Sequence, residues 1–190
     1  VAIRKVQAVT WTANWIRKRM GLLLLEYRVA GNDGLKKAQK VQVPVTQAAS
    51  LPILVDPYYS IPDVSATESL HIHRSYISRR VLLAGLVPAL LLMAVTVYWW
   101  EEKSLFFLLI PLLVWINAVL YQKHFRLWAL ADVVYLDKSV WGTEKVLLQW
   151  YKIQSVQLKQ SIYQKGKGLA TLTFYTAGGS FIVPFIPLEH

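Results

Sequence analysis

The chain has 190 residues, is 55% hydrophobic and carries a formal net charge of +10. That is too apolar for an ordinary soluble domain of this length. Cysteine is absent, which excludes a disulfide framework, a thiolate metal site and thiol catalysis.

The first residue is Val, and no secretory leader opens the chain, so the sequence reads as a fragment of a longer protein. Residues 5–31, KVQAVTWTANWIRKRMGLLLLEYRVAG, read as strand, basic turn and strand. Asn32-Asp33-Gly34 has the chemistry of a hairpin turn with positive φ, and Lys36, Lys37 and Lys40 follow it. Residues 51–69 contain Pro52, Pro57 and Pro62 and read as a linker. His71 and His73 would share one face of a strand. No Cys or carboxylate pair completes a metal site around them, so they read as a polar stretch before the apolar block.

Val81–Trp100 and Leu105–Tyr121 are runs without a charged residue, joined by Glu101-Glu102-Lys103-Ser104. At about 1.5 Å per residue, about 20 residues cross a ~30 Å hydrocarbon core. The two runs are therefore expected to form a transmembrane helical hairpin. Arg74, Arg79 and Arg80 precede it, and Lys123 and Arg126 follow it. The positive-inside rule places both flanks in the cytoplasm, with Tyr98, Trp99 and Trp100 at the outer interface. Pro88 and Pro111 are expected to kink their helices. Asn117 is a pore residue or a helix–helix hydrogen-bond partner. Spans without an ionisable group offer little for a transport pathway, which favours the packing role.

Beyond the hairpin, strands are expected at 125–130, 133–140, 144–150, 152–158, 168–176 and 180–183, with turns at Asp137-Lys138, Trp141–Thr143 and Ala177–Gly179. Residues 152–178 repeat residues 5–31 at a constant offset of 147. Lys5, Gln7 and Val9 match Lys152, Gln154 and Val156. Gly21-Leu22 matches Gly168-Leu169, Leu25 matches Leu172, and Ala30-Gly31 matches Ala177-Gly178. After a longer turn in the first copy, Val43-Pro44 corresponds to Val183-Pro184. The same supersecondary unit is present twice. The first copy lacks the upstream strands and, taken alone, would leave an open sheet edge.

Lys152–Val156, Gly168–Leu172, Thr176–Gly178, Ile182–Pro187 and His124–Trp128 resemble the bacterial PH domain of membrane-flanking type, as in YdbS/YdbT-like membrane proteins. The resemblance implies a membrane α+β architecture: a transmembrane hairpin flanked by PH-like antiparallel β-barrel modules, both truncated. Residues 1–55 would be the C-terminal half of one PH-like domain, 56–80 a juxtamembrane linker, 81–121 the helix pair, and 123–190 a PH-like domain lacking its closing helix.

Arg17, Lys18 and Arg19 in the first copy, and Lys165 and Lys167 in the second, lie in equivalent turns. They are candidate contacts for anionic lipid headgroups or protein partners, each cation near such a surface contributing about 1 kcal/mol. Solvated turns obeying the charge bias remain the alternative. No catalytic motif is present, no cofactor is implied, and no nucleic-acid motif accompanies the basic charge. The sequence reads as a non-enzymatic, multi-pass scaffold of the bacterial cytoplasmic membrane that binds lipids, other membrane proteins or itself. The alternative is an accessory subunit of an export or resistance complex contacting partners through Pro88, Pro111 and Asn117.

Overall fold

The computed structural model describes residues 5–30, 39–64 and 67–188, with side chains described except at 39 and 97–104. The turn at Asn32–Gly34 with Lys36 and Lys37, and the side chains of Tyr98, Trp99 and Trp100, lie outside the described residues.

The chain opens with β1 (Val6–Ala13), a short helix α1 (Trp15–Arg19), β2 (Leu22–Val29) and β3 (Gln39–Gln47). In β2 the buried positions are Leu23, Leu25, Tyr27 and Val29, the alternation of a strand with one covered face. β1 is buried at nearly every position, on both faces. A central strand with both faces covered reads as a continuous apolar run rather than an alternating one.

The proline-containing stretch is not bare linker. It forms α2 (Leu51–Val55), with Pro52 in the first turn, where a missing N–H is harmless. Val55 is fully buried, and the Tyr59 hydroxyl reaches the Val6 carbonyl at 3.4 Å. Leu70 bridges to Leu127, and Ile72 is buried.

Helix α3 (Ser75–Arg80) runs through a π-helical turn, Val81–Leu86, into α4 (Val87–Trp100). The turn at Glu101–Leu108 is 3₁₀-helical, and α5 spans Leu109–His124. The first helical stretch thus starts before its uncharged run, and the second ends after its own. Ser75–Thr96 and Leu105–His124 are long and apolar enough to cross a membrane, by length and composition. Little of either is buried: Leu83, Leu91, Val95 and Leu113 are all more than half exposed. That is the reverse of a core helix. The helices meet through small residues instead. Gly85, Ala89 and Ala118 are buried, and a Cβ on Gly85 would lie 2.9 Å from the Pro111 Cα. Such close backbone approach is what small residues permit between apolar helices.

The prolines are accommodated locally. Pro88 follows the widened π turn. Pro111 lies in the first turn of α5, just after the 3₁₀-helical stretch.

After the hairpin come β4 (Arg126–Ala129), β5 (Val133–Asp137), β6 (Thr143–Gln149), β7 (Ile153–Lys159), α6 (Ile162–Lys165), β8 (Leu169–Thr176) and β9 (Gly179–Pro187). They form two antiparallel sheets. One has six strands in the order β3-β2-β1-β6-β5-β4, and the other has the order β7-β8-β9. β1 pairs with β6 from Ala8 opposite Leu148 to Ala13 opposite Thr143. The edge that the first copy would expose alone is thus filled by a strand from beyond the hairpin.

The strands of the second sheet close over Phe125, Leu127, Val134, Leu136 and Leu148, with Phe174, Phe181 and Val183 facing them. A second cluster on the opposite face of the large sheet joins Val9, Trp11, Leu25 and Tyr27 to Val55, Tyr59, Trp128 and Tyr135.

The repeat holds in backbone detail. α1 and β2 begin 147 residues before α6 and β8. Gly21 and Gly168, at φ 68° and 62°, make the same left-handed entry into their strands. Val45 and Phe185, at φ 55° and 54°, mark the same irregularity in β3 and β9. Register shifts at Leu23/Leu25 and Ala170/Leu172 are likewise equivalent.

Candidate functional site

α1 and α6 occupy equivalent turns, and both sit at the base of the hairpin. α6 is locally encoded by Ser161 and Gln164. The Gln164 amide donates to the Ser161 hydroxyl at 3.3 Å, and the Ser161 amide donates to Gln164 Oε1 at 3.0 Å, a capping box. The buried Gln164 side chain also donates to Thr171 Oγ1 at 2.8 Å. This fixes the turn and leaves Ile162 pointing out, 95% exposed.

Three contacts tie α6 to the start of the first long helix. Arg79 donates to Ser161 Oγ at 3.3 Å, Lys167 Nζ donates to Ser75 Oγ at 3.1 Å, and the Tyr163 hydroxyl donates to the Ser75 carbonyl at 3.5 Å. Lys167 also lies 4.9 Å from the Tyr163 ring centre. Lys167 is therefore engaged with the helix base, whereas Lys165 is exposed.

α1 lies on the other side of the same base. It joins the Ala13 end of β1 to β2, beside the turn between β5 and β6. That turn, Lys138–Thr143, lines a cleft of about 400 Å³ together with Thr12, Ala13 and, on α5, Asn117 and Tyr121. Every residue of α1 is exposed, and Trp15, Ile16 and Met20 are each more than 60% so. Arg17, Lys18 and Arg19 lie between Ile16 and Met20. Trp141 adds another exposed ring nearby.

Two further clefts open at the base. Tyr76, Arg80, Ala84, Leu113, Val114, Asn117, Ala118 and Tyr121 line a space of about 520 Å³ between the helices. Arg79, Arg80, Tyr76 and Phe185 border one of about 270 Å³, with the Arg79 guanidinium 5.5 Å from the Phe185 ring centre. Asn117 is exposed and lines two of these clefts, and among the described residues no hydrogen bond joins it to the other helix. Among the described residues, no carboxylate pairs with Arg17, Lys18, Arg19, Arg79, Arg80 or Lys165. The ion pairs Arg28–Glu26, Lys40–Glu26 and Lys145–Asp137 lie elsewhere. Burial pushes the Lys138 amine down, against the opposing pull of Glu144, so even the cation inside the cleft is held in a poorly solvated place.

His71 and His73 face serines: His71 Nε2 lies 3.0 Å from Ser69 Oγ, and His73 Nδ1 lies 3.0 Å from Ser75 Oγ. Among the described residues, no group of three metal-ligating side chains is present.

The structure thus gathers the two predicted basic turns at one end of the molecule. It adds Trp15, Ile16, Met20 and Ile162, which sequence reasoning did not assign, and Arg79 and Arg80, which it had read only as flanks of the hairpin. The mixed apolar and basic run WIRKRM was the available signal for the first of these.

Residues 78–190, the hairpin from its base and all of β4–β9, match the family model described as Bacterial PH domain. The chain belongs to the bacterial PH domain family. The β1–β3 segment lies outside the matched range, yet it duplicates β7–β9 of the bacterial PH domain strand for strand. Compared with curated proteins and with solved structures, the chain matches none.

Proposed function

We propose that this bacterial PH domain protein is a non-enzymatic scaffold of the cytoplasmic membrane, of the YdbS/YdbT-like arrangement. Its helical hairpin crosses the bilayer twice and holds the β-sheets against the inner leaflet. The observation that carries the reading is the shared position of α1 and α6. Both present exposed apolar side chains and unpaired cations at the end of the molecule from which the hairpin emerges. At a headgroup layer the apolar tips are removed from water, while Arg17, Lys18, Arg19 and Lys165 meet lipid phosphates. Arg79 and Arg80 stand at the same level, which is where positive-inside flanks belong. Tethering raises the effective concentration of the sheet surfaces near other membrane proteins.

The test uses single cysteines, which the natural sequence makes unambiguous. Ile16→Cys and Ile162→Cys carry an environment-sensitive fluorophore in full-length protein in nanodiscs. Both probes report an apolar environment, and this weakens when Arg17, Lys18, Arg19 and Lys165 are replaced by Ser and when salt is raised. Two probes that remain in water in anionic nanodiscs overturn the proposal.

Asn117 favours a second reading, an accessory subunit of a membrane complex. An exposed Asn with no hydrogen-bond partner across the hairpin among the described residues is suited to a hydrogen bond from another protein's helix. Crosslinking from Asn117→Cys to a neighbouring membrane protein supports that role.

A further inference from the structure

The internal duplication puts one strand edge in two different states. β1 and β7 are the same strand of the repeated unit. The outer edge of β1 is filled by β6, whereas among the described residues β7 pairs with β8 alone. We infer that the free edge of β7 is a docking site for an antiparallel strand of the β6 type, supplied by another PH-like module. The inference rests on the scaffold reading and names the partner class.

The side chains carry the same asymmetry. Val9 and Trp11 are 0% and 3% exposed, while their counterparts Val156 and Leu158 are 52% and 51% exposed. Val156 and Leu158 lie on the inner face of their sheet, opposite Phe174 and Leu172, so they extend an existing core up to an uncovered margin. In the first copy that margin is covered by Leu147 of β6 and by Tyr135, which stacks on Trp11 with ring centres 6.0 Å apart. The charge pattern fits as well. Thr12 stands opposite Glu144, and the residue equivalent to Thr12 is Lys159. A β6-type strand in the same register would place a carboxylate against that ammonium. A cross-strand pair of opposite charges favours this register over its neighbours. The β6 of a second copy is already paired on both sides, by β1 and β5, so the strand has to come from a module whose β6 is free on one edge. Strand addition gains affinity from backbone hydrogen bonds and specificity from alternate side chains.

The probe is a synthetic peptide with the sequence of residues 141–151, added to the full-length chain in detergent micelles. With Ser155→Cys in the protein, a peptide carrying Cys at the Leu148 position forms a disulfide, because Ala8, the counterpart of Ser155, faces Leu148. A peptide with Cys at the Gln149 position does not, since neighbouring side chains point to opposite faces. Lys159→Glu weakens peptide binding about threefold to fivefold, and a peptide with Glu144→Lys restores it. Absence of binding to the well-folded chain overturns the inference. So do disulfides formed equally at both peptide positions, and chain-to-chain disulfides through Ser155→Cys that the peptide does not displace, which would make β7 a homodimer edge. None of these outcomes bears on whether the hairpin spans a bilayer, which the fluorophore experiment decides separately.

Discussion

Trp11 stacks on Tyr135 with ring centroids 6.0 Å apart and planes inclined by 28°. The two residues stand on either side of the apolar hairpin in sequence, yet they share one cluster. This contact, with the β1–β6 ladder beside it, makes the segments before and after the hairpin a single β-structure.

Trp11→Ala is expected to lower unfolding stability by about 3–5 kcal/mol, the usual cost of emptying a buried aromatic site. Leu158→Ala, at the equivalent position of the second copy, is expected to cost under about 1 kcal/mol because that side chain is half exposed. Denaturant unfolding of both variants in micelles measures the contrast. Equal losses contradict the asymmetry of the two edges.

Gly21→Ala and Gly168→Ala place a Cβ in the left-handed region at φ 68° and 62°, where nothing else lies within 4 Å. The penalty is purely conformational and is expected at about 1 kcal/mol in each copy. Thermal melts that shift by similar amounts for both variants meet this expectation. A large loss at one position alone shows that the turns are not equivalent.

At Gly85, space is short rather than torsion. Gly85→Ala must displace Pro111, whose Cα would be 2.9 Å from the new Cβ. Overpacking of this kind is expected to cost about 1–3 kcal/mol, read as earlier unfolding in mixed micelles of rising SDS fraction. An unchanged profile means that the helices do not touch there.

Glu26 sets a pH dependence. Burial raises its carboxyl pKa, but the Gln42 amide, Lys40 and Arg28 outweigh this and hold it below the ordinary value of 4.5. A depressed folded-state pKa stabilises the fold above the unfolded pKa and loses that contribution as pH falls through the folded value. The stability gap between wild type and Glu26→Gln should be present at pH 6 and should shrink below about pH 4.5. For such partly exposed pairs the gap is expected to be at most about 1 kcal/mol. A gap that is the same at pH 6 and pH 3 removes the ion pairs as its cause.

The hairpin was legible because two uncharged runs with a four-residue polar link leave few alternatives. The strands were legible from alternation, and the repeat from aligned glycines. The pairing of β1 with β6 left no local trace. Both strands satisfy the same pattern, and partner choice across more than a hundred residues depends on packing rather than propensity. Helix α2 was hidden by Pro52, since proline marks a turn as readily as a first helical position. α6 was within reach, since Ser161 and Gln164 spell a capping box. Of the site, sequence supplied the cations. It did not supply the apolar tips of α1 and α6, because only the fold shows that Trp15 and Ile162 stay outside the core.

The β1–β6 ladder also constrains the order of assembly during synthesis. β1 leaves the ribosome about 130 residues before its partner β6 and meanwhile offers unpaired N–H and C=O groups along one side. Its zippering has to wait until the whole apolar hairpin has been made and, if the hairpin crosses a bilayer as proposed, until its return leg has come back to the side on which it started. A hairpin threaded with the wrong topology would strand β1 and β6 in different compartments. On the membrane-spanning reading proposed above, the six-stranded sheet would close only after correct insertion.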